Sequence, residues 1–195
     1  MVFRAVWAAA PSAAAAASSP LPDDTLTIRC APSDLSEGDK AALADLLLPV
    51  FRAGDTYTVD PDIDATGAVA VWTAPGKTVF LAEDAQARVL GTYYIRRNQD
   101  GGGAHVCNCG YVTSPAAQGK GIARAMLHHS IETARAMGYR AMQYNFVVST
   151  NTRAIETWEK AGFQTVGRLP QAFHHPTAGY VDALVMMKDL RAEAG

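Results

Sequence analysis

Between Thr113 and Ala123 the chain reads Thr-Ser-Pro-Ala-Ala-Gln-Gly-Lys-Gly-Ile-Ala, joining a strand-like run directly to a helix whose opening is free of bulky side chains. Backbone N–H groups at a helix start have no intrahelical acceptor, and with the helix dipole they form an anion site suited to a diphosphate. Gly119 and Gly121 allow a ligand close to the backbone. Spacing separates the nucleotide motifs that such a loop could represent. A Walker-type loop needs Ser or Thr after Gly-Lys, where Gly121 stands, and a dinucleotide fingerprint needs a third glycine, where Arg124 stands.

What remains, Gln118-x-x-Gly121-x-Ala123, resembles the acetyl-CoA pyrophosphate loop of the GNAT superfamily of N-acetyltransferases. Downstream, Asn151-x-x-Ala154-x-x-x-Trp158-Glu159-Lys160-Ala161-Gly162-Phe163 is similar to that superfamily's second signature. The resemblance spans residues 26–190. It implies an α/β (α+β) fold, a mixed, mostly antiparallel sheet of about seven strands with helices on both faces. It also implies acetyl-CoA as cosubstrate. Backbone groups of Tyr111, Val112 and Thr113 would flank its pantetheine and acetyl ends, and Gln118, Gly119, Lys120, Gly121, Ile122, Ala123 and Arg124 would hold the diphosphate. Asn151 would face the cofactor and help polarise the acetyl carbonyl, together with a backbone N–H near Val112. Asparagine is equally a preferred helix N-cap.

The departures from the pattern narrow the expectation. Many GNAT enzymes carry, at the place of Trp158, a tyrosine that protonates the departing thiolate; an indole N–H is no usable acid, so water, the substrate amine or another side chain must serve. Asn108 and Asn145 lie on the two strands that splay apart in that fold. Neutral amides suit a zwitterionic amino acid better than a polycation. The segments His105–Tyr111, Gln143–Asn151 and Val181–Leu184 resemble fungal acetyltransferases of proline analogues and related cyclic imino acids, which share the tryptophan. By that resemblance Asn108, Asn145 and Phe146 line the substrate site, the asparagines hold the substrate carboxyl, and Asn151 and Asn108 take part in catalysis. As buried amides, Asn108 and Asn145 would need hydrogen-bond partners in any case. Alternatives are an acetyltransferase for a toxin amine, a protein N-terminus or a lysine, and a non-catalytic acyl-CoA-binding module, which Trp158 favours.

Three further groups have weaker claims. His105, Cys107 and Cys109 share a strand face, but same-face neighbours stand roughly 6.6 Å apart, a poor fit to one tetrahedral ion, so no metal is expected. His174 and His175 fall in an expected loop, Ala172 to Gly179, that could overhang the substrate slot. Asp182 is a carboxylate in an apolar strand and needs a partner.

The elements that position these residues follow from periodicity. A half-buried strand begins near Thr25, and Asp34-x-x-Glu37 reads as a capping pair for a helix with Leu43, Leu46, Leu47 and Val50 inward. Val69 and Trp72 anchor a short helix; Lys77 to Glu83 and Arg88 to Arg97 form a hairpin. His105 to Thr113 is a strand, Gly119 to Gly138 a helix, Ala141 to Val148 a strand and Asn151 to Ala161 a helix. Strands from Phe163 to Leu169 and Tyr180 to Lys188 close the domain.

Residues 25–195 are thus one acetyltransferase-type domain, while residues 1–24, rich in Ala and Ser, read as a disordered extension or a targeting segment. With 17 Lys and Arg against 19 Asp and Glu, the net charge of −2 leaves no broad basic surface for nucleic acid. No apolar run is long enough to span a bilayer. Three cysteines do not make a disulfide framework, which fits the cytoplasm or the mitochondrial matrix. The expected partner is a small-molecule amine, and a homodimer through the C-terminal strands is a family-level expectation.

Overall fold

A computed structural model describes residues 26–117 and 119–191. The expected N-terminal extension and Gln118 lie outside the described residues. Seven strands form one sheet: β1 (Thr27–Cys30), β2 (Lys77–Glu83), β3 (Val89–Arg97), β4 (Val106–Thr113), β5 (Ala141–Val148), β6 (Gln164–His175) and β7 (Gly179–Asp189). Their order is β1-β2-β3-β4-β5-β7-β6. Every neighbouring pair is antiparallel except β4 and β5.

Helices α1 (Glu37–Ala53) and α2 (Ala65–Trp72) cover one face, where Leu43, Leu47, Phe51 and Trp72 pack with Leu81 and Val112. Helices α3 (Ile122–Ala136) and α4 (Thr152–Lys160) cover the other, where Met126, Leu127 and Ile131 of α3 meet Tyr93, Ile95, Cys107 and Met142. Side chains alternate across a strand. In β4 the odd-numbered residues therefore face α3 and α4, and the even-numbered ones face α1 and α2.

Several boundaries differ from the sequence reading. Helix α1 is capped by Ser36, whose hydroxyl accepts from the Asp39 N–H at 3.0 Å, while Glu37 pairs with Lys40. Asp34 stands too early for that role. Helix α3 begins at Ile122 because Gly119 and Gly121 both take φ of 79°, a left-handed conformation outside the helix. Strand β6 runs on to His175, so His174 and His175 belong to a strand paired with β7 and not to a loop. Asp182 has its partners there: it accepts from the Gln171 N–H at 2.8 Å and from Arg168, fastening the irregular stretch between Leu169 and Phe173.

Candidate active site

Strands β4 and β5 pair only at Val106↔Ala141 and Cys107↔Met142, and beyond that they part. The cause lies on both strands. Strand β4 keeps its antiparallel register with β3 from Arg97↔Cys107 to Gly91↔Thr113. Strand β5 loses register with β7 between Tyr144 and Val147, so Asn145 and Phe146 bulge at the split. The split opens into a cleft of about 1200 Å³.

The described residues expected to hold cofactor and substrate line this cleft: Asn108, Tyr111, Val112, Thr113, Gly119, Lys120, Gly121, Ile122, Ala123, Arg124, Asn145, Phe146 and Asn151. On the α3 side the phosphate-type loop keeps the expected character. Its helix has no side-chain cap, the first intrahelical bond runs from the Ala125 N–H to Gly121, and so the amides of Ile122, Ala123 and Arg124 lack an intrahelical acceptor. A Cβ on Gly119 or Gly121 would meet nothing within 4 Å, so the backbone stands open to the cleft. By contrast, α1, α2 and α4 are each capped by a side chain, and Asn151 is the cap of α4, accepting from the Ala154 N–H at 3.3 Å.

The backbone of β4 corrects one expectation. Alternate residues of a strand turn their N–H and C=O to opposite sides. Asn98 N–H bonds to Val106 O and Ser114 N–H to Leu90 O, so the even-numbered residues serve β3. Val112, register partner of Thr92, thus turns its N–H to β3, and Tyr111 is the residue whose polar pair faces the split. The Tyr57 hydroxyl occupies that pair, donating to Tyr111 O at 2.8 Å and accepting from Tyr111 N–H at 3.0 Å.

The two asparagines are both engaged. Asn108, 6% exposed, donates through Nδ2 to Gln143 O at 2.8 Å, bridging β4 and β5 where their backbone pairing stops. Asn145 donates to Asn98 Oδ1 at 2.6 Å and accepts from Gln143 Nε2 at 2.9 Å.

Trp158 packs against Tyr111 and Tyr144, each ring centroid 5.1 Å away. The Tyr111 hydroxyl in turn meets Ser130 Oγ at 2.7 Å and Tyr144 Oη at 3.1 Å. Burial pushes the Tyr57, Tyr94, Tyr111 and Tyr144 phenols upward, so at neutral pH each cleft tyrosine is an O–H donor and not a base.

Sequence reasoning missed the wall opposite α3. Asp55, Thr56, Tyr57 and Thr58 from the connection after α1, with Tyr94 and Arg96 of β3, complete the cleft. An aperiodic loop carries no sequence signal for such a role, and Arg96 is indistinguishable in sequence from its neighbour Arg97. His174 and His175 do not line the cleft: the His174 ring lies on Tyr180 at 4.8 Å, and His175 Nδ1 accepts from the Thr177 and Ala178 amides. Among the described residues no group of three His, Cys, Asp or Glu could hold a metal ion, and no helix is long and apolar enough to cross a membrane.

Comparison with known proteins accords with this architecture. The model of the acetyltransferase (GNAT) family matches residues 41–163. The N-acetyltransferase aca1 of Schizosaccharomyces pombe is 32% identical over 115 residues, which are 58% of this chain and 55% of that protein; the chain spans about half the length of that relative. A GCN5-related N-acetyltransferase from Kribbella flavida superposes with a TM-score of 0.77 at 36% identity, covering 84% of this chain and 97% of that one. A phosphinothricin acetyltransferase from Sinorhizobium meliloti, solved with acetyl-CoA, shares the fold at a TM-score of 0.72 and 19% identity, over 85% of this chain and 88% of that one.

Proposed function

The chain belongs to the acetyltransferase (GNAT) family, and from that premise we propose that it transfers acetyl from acetyl-CoA directly to the amine of a small zwitterionic amino or cyclic imino acid. One observation carries the reading: the N–H and C=O of Tyr111, which have no strand partner and are held by the Tyr57 hydroxyl, face the same cleft as the uncapped start of α3.

The residues present fit acetyl-CoA. The open glycines and the amides of Ile122 to Arg124, which lack an intrahelical acceptor, suit its diphosphate, with Lys120 and Arg124 adding positive charge. Its extended pantetheine arm matches the exposed edge of β4. The bound thioester supplies an activated acyl carbon. Tyr111 N–H, once released by Tyr57, polarises the carbonyl oxygen and stabilises the charge that grows there, and Asn151 lines the same cleft.

The acceptor enters from the α1 and α2 side, over Tyr57, Tyr94 and Asn108. Its neutral amine forms the N–C bond as the C–S bond breaks, and the amine's proton balances the departing sulfur. Trp158 cannot supply that proton, and the cleft phenols, held protonated by burial, can only donate a hydrogen bond to the sulfur.

The experiment is to incubate the purified chain with acetyl-CoA and azetidine-2-carboxylate, hydroxyproline, a primary amino acid, a polyamine or a lysine peptide, following free CoA and acetylated product. Selective turnover of the cyclic imino acids is expected. Turnover confined to the polyamine or peptide overturns the acceptor class, and acetyl-CoA binding without any product replaces the enzyme with a binding module.

A further inference from the structure

We propose that the Arg96 guanidinium is the charged anchor for the acceptor's carboxylate and the residue that selects acid-bearing amines. This rests on the acetyl-transfer reading above and adds to it a specificity residue.

Four observations lead there. Arg96 lies directly opposite Asn108 in the β3–β4 register and lines the cleft, so its side chain emerges on the acceptor side of the sheet. Asn108 and Asn145 each commit one amide N–H within the fold, Asn108 Nδ2 to Gln143 O at 2.8 Å and Asn145 Nδ2 to Asn98 Oδ1 at 2.6 Å. Each Nδ2 keeps one further N–H, but a neutral amide with a single free donor cannot balance the charge of a carboxylate, whereas a guanidinium can. Next, Arg97 pairs with Asp100, whereas Arg96 has no carboxylate partner among the described residues. Its charge is felt locally: after burial, Arg96 is the second cause that draws the Lys77 ammonium down to about 8. A planar guanidinium with free donors is the side chain best matched to a carboxylate, which it grips through two parallel N–H bonds. Asp55 lines the same cleft and supplies the opposite charge for the acceptor's ammonium form. Away from the α3 and α4 side, Arg96 and Asp55 thus offer a cation and an anion for the two ends of a zwitterion.

The test compares azetidine-2-carboxylate with its carboxamide as acceptors for the wild-type chain, Arg96→Gln and Arg96→Lys. Wild type is expected to prefer the acid. In Arg96→Gln the KM for the acid rises on the order of 30-fold, that for the carboxamide stays level, and the preference disappears. Arg96→Lys, which keeps the charge without the fork, recovers part of it. The dissociation constant for acetyl-CoA, measured by titration calorimetry, reports that the cosubstrate half of the cleft is intact. An Arg96→Gln chain that turns over and still prefers the acid overturns the Arg96 assignment alone, as does an equal loss with both acceptors. A wild-type chain that acetylates neither compound overturns the transfer reading and this inference together.

Discussion

The Tyr57 hydroxyl bridges both backbone polar atoms of Tyr111, 2.8 Å from its carbonyl oxygen and 3.0 Å from its amide nitrogen. A residue from an irregular loop thereby completes the one stretch of β4 that lost its strand partner when β5 turned away. In the proposed transfer the same amide is the donor to the acetyl carbonyl. That proposal couples ligand entry to release of the phenol.

That coupling fixes the outcome of Tyr57→Phe. The free variant loses two hydrogen bonds and about 1–2 kcal/mol of stability. An acetyl group that claims the Tyr111 amide no longer has to displace the phenol, so saturating acetyl-CoA raises the melting temperature more in the variant than in wild type. Equal shifts in a thermal-denaturation series would show that the acetyl group does not use this amide.

Gly110 is required by a close approach. A Cβ there would stand 2.7 Å from Tyr94 Cε1, and the Tyr94 ring is held edge-on to Trp72 at 4.9 Å with Lys77 Nζ 4.2 Å from its centroid. Gly110→Ala must push the ring out of this setting, at a cost of about 1–3 kcal/mol. We expect a raised KM for the acceptor and an unchanged acetyl-CoA affinity, since Tyr94 stands on the acceptor side. Steady-state kinetics with each substrate varied in turn would reveal the opposite pattern if that side is wrongly given.

Asn108 ties the two splayed strands through a buried bond to Gln143 O. Asn108→Ala leaves that carbonyl without its donor and is expected to cost about 1–3 kcal/mol. Asn108→Asp should be worse than alanine, because it sets an acceptor against an acceptor. Urea denaturation ranks the three proteins, and an unaffected alanine variant would return Asn108 to a purely substrate-binding role.

Stability should vary with alkaline pH in two opposed phases. Burial, aided by Arg96, lowers the Lys77 pKa from 10.5 to about 8 in the folded chain. Below about 8 both states carry the proton and the penalty is constant; between about 8 and 10.5 only the unfolded chain binds it, so stability rises with pH. The buried tyrosines act in the other direction. Their folded values lie above the ordinary 10.0, so beyond that pH the unfolded chain loses protons that the folded chain keeps, and stability falls. Denaturation midpoints from pH 7 to 11 should show a maximum that Lys77→Met flattens on its acid side.

The amino-acid sequence by itself determined the parts of this protein that depend on neighbouring residues. Gly119 and Gly121 take left-handed backbone angles and leave the start of α3 open, and Asn151 caps α4, because those outcomes are decided within a few residues of chain. The inward stripe of α3, Ile122, Met126, Leu127, Ile131 and Ala134, is buried as its spacing requires. Tertiary structure alone decided which backbone groups and side chains meet across the cleft. Whether Tyr111 or Val112 faces the split depends on the pairing of β4 with β3, a parity that a shift of one residue would invert. Tyr57 reaches Tyr111 across 54 positions of sequence, and Arg96 differs from Arg97 only in the face its strand gives it. The commitment of Asn108 and Asn145 to Gln143 and Asn98 was equally hidden, because a side chain's hydrogen-bond partners are set by packing and not by its own identity.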